Sequence, residues 1–104
     1  MPSCYYVYIM AGQRGVIYVG VTGNLERRVY LHKAHTNGGF ATRYNVTSLV
    51  YFERYASIQA AIAREEEIKA WRREKKLVLI ATMNPKWGDL SYGWYQRHRY
   101  ASHG

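Results

Sequence analysis

Helical projection at about 100° per residue places Glu65 between Ala61 and Ile68 and beside Ile58 and Ile62, whereas Glu67 projects to the opposite side and Glu66 to the margin. A carboxylate on a packing face is costly unless a cation, a metal ion or hydrogen bonds compensate it, so Glu65 needs a partner. The plain alternative to a metal is an ion pair with arginine or a cap of backbone amides. On an earlier helix Arg28 and His32 stand four apart and flank Leu25 and Val29, so both can reach one site, while Arg27 points away. Arg28 could equally snorkel or neutralise Glu65, and a lone histidine at a helix edge is more often a bystander than a ligand. Two phenols join them. With a symmetric hairpin loop, Met10 opposes Val16, Tyr8 opposes Tyr18 and Tyr6 opposes Gly20, so both phenols share a sheet face and Gly20 leaves open space beside them. Phenols, a guanidinium, an imidazole and one carboxylate would then gather on the helix-covered side of a small sheet.

The elements that must position these groups follow from local patterns. Residues 4–10 and 16–21 are rich in aromatic and β-branched types and flank Ala11-Gly12-Gln13-Arg14-Gly15, which reads as a hairpin with a glycine-bearing loop. Thr22-Gly23-Asn24 supplies a turn and an N-cap, and Leu25, Val29 and Leu31 form a short apolar stripe to about Lys33. Residues 36–39 break that helix. Ser48 to Tyr55 reads as a third strand, after which Ser57 caps a longer helix with Ile58, Ala61, Ile62, Ile68 and Trp71 on its apolar side. That helix, or a second one after a bend, continues through Leu77, Val78 and Ile80 until Asn84-Pro85 ends it. The order β-β-α-β-α-α predicts an α+β domain over residues 1–90 whose small sheet hides a face under helices. Residues 91–104, with Tyr92, Trp94, Tyr95, Arg97, His98, Arg99, Tyr100 and His103, lack either periodicity and read as a basic aromatic C-terminal tail, mobile or laid on a nucleic acid strand.

Composition narrows the function. The 104 residues are one domain's worth, large enough for a core without a disulfide staple, and the lone Cys4 cannot close one. No apolar run has the length of a membrane span and no secretory signal precedes Tyr5, so a soluble cytoplasmic protein is expected. Fifteen Lys and Arg against seven Asp and Glu leave a formal charge of +8, which attracts polyanions. The bland alternative is a solvated positive surface. Paired cysteines for a zinc site, a Gly-x-x-x-x-Gly-Lys phosphate loop and a Gly-x-Ser-x-Gly elbow are all missing from the sequence, which disfavours those chemistries.

Tyr6-Val7-Tyr8, nine intervening residues, Tyr18-Val19-Gly20, then Asn24-Leu25-Glu26-Arg27-Arg28 with His32 four further on, resemble the GIY-YIG nuclease domain. The likeness continues through Arg64-Glu65, Ile68-Lys69-Ala70-Trp71 and Asn84-Pro85-Lys86-Trp87, covering about residues 5–90, and is nearest to small stand-alone bacterial members. The first glycine of the family signature is Tyr6 here, and both middle positions are valine. The resemblance implies a three-stranded antiparallel sheet flanked by helices and an endonuclease that hydrolyses DNA phosphodiesters with one divalent metal ion, Mg²⁺ or Mn²⁺. Carried over by position, Tyr8 and Tyr18 match the motif tyrosines, Arg28 the catalytic arginine, Glu65 the metal-binding glutamate, His32 a histidine near the scissile phosphate and Asn84 a late asparagine supporting the site. Arg28 would brace the phosphate with its planar fork, and one of the tyrosines, aided by the metal or His32, would orient or deprotonate the water. The acids Glu26, Glu53, Glu65, Glu66, Glu67, Glu74 and Asp89 include only one that is both suitably placed and motif-matched, which suits one metal rather than two.

Affinity is expected from phosphate contacts by Arg27, Lys33, Arg43, Lys69, Arg72, Arg73, Lys75 and Lys76, and should fall steeply with salt. No element reads a duplex through the major groove, and tyrosine and tryptophan could stack unpaired bases, which tilts the expected substrate toward single-stranded or branched DNA. No obligate protein partner is evident. The rival readings are a non-catalytic nucleic-acid-binding module on the same fold and an interaction domain whose basic surface meets a protein.

Overall fold

A computed structural model describes residues 4–34 and 45–95. Over these the chain runs β1 (Tyr5–Ala11), β2 (Ile17–Thr22), α1 (Leu25–Lys33), β3 (Ser48–Tyr55), α2 (Ile58–Ala70) and α3 (Arg73–Met83), an α+β arrangement with a three-stranded antiparallel sheet in the order β2-β1-β3. Being central, β1 buries five consecutive residues, Val7 to Ala11, because both of its faces are covered. One face packs Tyr8 and Met10 with Leu25 and Val29 of α1 and with Leu49. The other packs Val7, Ile9 and Val19 with Ala61 and Ile68 of α2 and Ile80 of α3. The helices therefore lie on both sides of the sheet, not on one.

The helix ends lie where their capping chemistry puts them. Asn24 Oδ1 accepts from Arg27 N at 3.1 Å and Ser57 Oγ from Ala60 N at 3.2 Å, each satisfying an amide that the first turn leaves orphaned. Trp71 and Arg72 adopt extended conformations, which separates α2 from α3 as two helices. Ile58 and Ile62, expected on the packing side of α2, are exposed, so the buried stripe of this helix is narrower than the projection suggests.

Three further expectations are corrected. The hairpin closes through a five-residue loop, residues 12–16, with Ala11 opposite Ile17, so Met10 faces Tyr18, Tyr8 faces Gly20 and Tyr6 faces Thr22. This register is displaced by two residues from the symmetric one, because Arg14 and Gly15 turn the chain with φ of 60° and 74°. Residues 91–95 do not belong to a separate tail: Ser91 is buried and Trp94 and Tyr95 pack against the α1-side core, with Tyr95 Oη donating to Glu26 O at 2.6 Å. Asp89 anchors this segment by accepting from Leu49 N, Ser91 N and Ser91 Oγ. Its other oxygen takes Lys33 Nζ at 2.6 Å, and Lys33 also donates to Thr47 O. Lys33, expected on phosphates, is thus committed inside the fold. Residues 96–104 lie outside the described residues, as does Arg43.

A β-bulge in β3 pairs Ile9 with Tyr51 but Met10 with Leu49, leaving Val50 unpaired. The extra residue turns both Val50 and Tyr51 to the α2 face while Leu49 stays on the α1 face. The carbonyl of Val50 accepts from Asn84 Nδ2 at 3.2 Å.

Candidate active site

Tyr8 sits at the centre of β1, 1 % exposed, with its ring laid over the bare backbone of Gly20. A Cβ built on Gly20 would lie 2.6 Å from the Tyr8 hydroxyl and 2.7 Å from Cζ. The space expected beside the two phenols is filled by one of them. Tyr18, half-buried, stands diagonally across the pair, ring centroids 6.2 Å from Tyr8. His32 comes from the last turn of α1, 2 % exposed. Its Nε2 shares a hydrogen bond of 3.1 Å with Tyr8 Oη, and its ring lies 5.2 Å from that of Tyr18. Far from a bystander at a helix edge, it is locked between the phenols. Its Nδ1 is buried without a hydrogen-bond partner among the described residues.

Burial, then the proximity of Tyr18, hold the Tyr8 proton well above the ordinary phenol range, and the Arg28 charge opposes them only in part. His32 is drawn down to about 4 by burial and then by Arg28, so the imidazole is neutral at pH 7. Arg28, half-buried one helical turn before His32, acts electrostatically on both groups. A histidine with a folded pKa below its unfolded value binds protons more readily when unfolded, so stability falls as pH drops from about 6.5 to about 4. Urea unfolding at pH 7.5, 6 and 4.5 should show a loss of up to about 3 kcal/mol, and His32→Gln should flatten that slope. An unchanged slope would refute the neutral, sealed imidazole.

Glu65 enters from the opposite side of the sheet, since α2 covers the Val7, Ile9 and Val19 face. Its charge nevertheless acts on Tyr8. An open hollow of about 370 Å³ lies at the β2 edge, lined by Ile17, Tyr18 and Val19 with Lys69 of α2 and Lys76 of α3. Lys69 Nζ lies 2.6 Å from Glu65 Oε2, tying the carboxylate to this hollow. Glu65 is 13 % exposed and Lys69 51 %, an i,i+4 pair open on the lysine side. The cost of burying Glu65 is therefore met in part by a lysine, not by the arginine considered from sequence.

Of the six residues singled out for catalysis, the structure brings Tyr8, Tyr18, Arg28 and His32 into one group, with Glu65 acting on it from across β2. Asn84 lies elsewhere. Its Nδ2 donates to Val50 O and to Gly88 O at 2.7 Å, holding the turn after α3 against β3. Among the cations expected on phosphates, Lys69 and Lys76 line the hollow, and Arg27 and Arg72 are exposed. Arg73 donates to Gly15 O at 2.6 Å and Lys75 lies 4.3 Å from the Trp71 ring centre, so both also serve the fold. The sequence reading missed the network at Glu53, which accepts a two-pronged bond from Arg64 at 2.9 Å and hydrogen bonds from Tyr51 and Tyr55. Alternation along β3 was the available signal, since residues 51, 53 and 55 share one face. Burial works against the charge, but Arg64 and the two phenols outweigh it and keep this carboxyl below its usual range. Glu53 is a structural tie between β3 and α2.

Residues 4–77 match the profile of the GIY-YIG catalytic domain. The chain is 38 % identical over 81 residues to a UPF0213 protein of Natronomonas pharaonis, covering 78 % of this chain and 95 % of that one. It is also 38 % identical over 84 residues to a UPF0213 protein of Clostridium perfringens, covering 78 % and 87 %. The solution NMR structure of a UPF0213 protein from Bacillus halodurans superposes with a TM-score of 0.56 at 24 % identity, covering 86 % of this chain and 97 % of that one, which supports the fold.

Proposed function

Because this chain belongs to the GIY-YIG family, a family of nuclease domains, we propose that it is a divalent-metal-dependent endonuclease that hydrolyses DNA phosphodiester bonds at the β2-edge hollow. The observation that carries this reading is a hollow lined by the Tyr18 phenol and two lysines, with the mostly buried carboxylate of Glu65 held by one of them, Lys69. A nucleic acid substrate also suits the formal charge of +8. The described residues contain no helix long and apolar enough to cross a membrane, and with a DNA substrate we place the protein in the cytoplasm.

The donor set suits a hard ion. Among the described residues no three His, Cys, Asp or Glu side chains converge, so Glu65 would be the one protein carboxylate on Mg²⁺ or Mn²⁺, with water and phosphate oxygens supplying the rest. When bound, such an ion polarises the phosphoryl oxygen and makes bound water more acidic. Arg28 braces the phosphate with its planar guanidinium. Tyr18 is the phenol with access to the attacking water and orients it through its oxygen. Tyr8 keeps its proton and, with neutral His32, acts as a positioning residue that fixes the Tyr18 ring. Water oxygen bonds to phosphorus as the bond from phosphorus to the ester oxygen breaks; the water's proton passes to solvent at the open side, and the departing alkoxide takes up a proton from solvent there. Lys76 and the exposed Arg27 and Arg72 would hold flanking phosphates. We place single-stranded or branched DNA ahead of intact duplex, since tyrosine and tryptophan rings can stack on unpaired bases.

Labelled single-stranded, flapped and duplex DNA incubated with Mg²⁺ or Mn²⁺ should be cut internally, the first two fastest. Binding without cleavage under either metal would overturn the enzyme reading. The Glu65–Lys69 ion pair favours one other reading, a binding module in which the lysine neutralises the carboxylate for good. The two separate on metal affinity. Since Lys69 competes for Glu65, Lys69→Met is expected to tighten Mn²⁺ binding about two- to fivefold by calorimetry, the worth of a partly exposed pair. Absence of Mn²⁺ binding in both proteins would decide for the binding module.

A further inference from the structure

A second open hollow, about 640 Å³, lies at the opposite end of α1 from His32, lined by Tyr6, Phe52 and Trp94, with Leu25, Glu26 and Cys4 among its other walls. We propose that it is a subsite for one unstacked nucleobase of a DNA single strand. The inference rests on the nuclease reading and names where its substrate strand is gripped.

Three separate segments deliver the aromatic walls: β1 gives Tyr6, β3 gives Phe52 and the segment after α3 gives Trp94. Tyr6 and Phe52 meet edge to face, centroids 6.4 Å apart at 73°, and all three are half-buried, an incomplete aromatic box rather than a closed core. Stacking on such rings accepts any base. Tyr6 stands where the family signature carries glycine and supplies a ring that glycine could not.

Charge separates base from phosphate here. Glu26 lines the hollow and disfavours an anion inside it. Arg54 lies directly across the β1–β3 ladder from Tyr6, and its Nε donates to the hollow's own Cys4 Sγ at 3.3 Å. Exposed Arg54 thus flanks a mainly apolar hollow with a cation, the pattern expected when a base enters and its phosphates stay outside.

The test measures binding of a short oligodeoxythymidine by anisotropy in EDTA, beside a blunt duplex of equal charge. Tyr6→Leu and Trp94→Leu keep apolar bulk and remove rings; each is expected to weaken single-strand binding about tenfold while leaving duplex binding within twofold. In the wild type, moving one abasic site along the oligonucleotide should produce a single position of similar loss, a readout independent of whether the variants fold. Equal single-strand binding by folded variants, or no abasic position with an effect, overturns the subsite. A protein that shows these losses yet never cleaves with metal keeps the subsite and loses the nuclease; one that cleaves without them does the reverse.

Discussion

Glu65→Gln is expected to lower the rate of DNA cleavage on the order of 10³-fold, the worth of several kcal/mol of metal-borne charge stabilisation, and to abolish measurable Mn²⁺ binding. Glutamine matches the shape and keeps an oxygen, so what is lost is the charge that a hard cation requires. The fold should tolerate the change. Glu65 is 13 % exposed and its ion pair is with a half-exposed lysine on the next turn, a contact whose loss costs well under about 1 kcal/mol. Initial rates on flapped DNA with Mg²⁺ and with Mn²⁺, alongside thermal unfolding, check both halves. A variant that cuts within about threefold of wild type would remove Glu65 from the reaction, even if the protein is a nuclease.

Gly20→Ala is expected to destabilise the protein by about 2 kcal/mol, in the range for overpacking a tight interior, with Tm falling by about 10 °C for a chain of this size. The backbone of Gly20 asks for no special conformation, and alanine in a strand is ordinarily the better residue by about 0.5–1 kcal/mol. Here the added Cβ would meet Tyr8 Oη at 2.6 Å, Cζ at 2.7 Å and Cε1 at 2.9 Å. Tyr8 cannot swing clear, because it is 1 % exposed and hydrogen-bonded to His32. Overpacking therefore outweighs propensity, and the ring must leave its place against Tyr18 and His32. A double-mutant cycle isolates the cause: in a Tyr8→Ala background, itself costly through its cavity, Gly20→Ala should cost nothing further or restore a little stability. Equal losses in both backgrounds would refute the ring-on-glycine contact.

The shared face of the two phenols survived a displaced register because the displacement is even. Side chains alternate with period 2, so a shift of two changes each partner but no face. The loop itself was not readable to that accuracy, since a non-glycine residue, Arg14, takes the left-handed region at φ 60°, and propensity does not announce it. Caps were readable at Asn24 and Ser57, where each side chain serves the amide three residues on. The bulge at Val50 was not, since Leu49-Val50-Tyr51-Phe52 is equally apolar in either phase.

Spacing alone determined the elements, the motif residues and the isolation of Glu65 among apolar neighbours, because each depends on chain positions a few residues apart. Tertiary packing decided which phenol is sealed and which is open, that Glu65 acts on the group from the far side of the sheet beside Lys69, that Lys33 is tied to Asp89, and that Trp94 and Tyr95 pack against the α1-side core. Those outcomes depend on pairings between distant segments, where the burial and charge of one residue are set by whatever the rest of the chain brings against it.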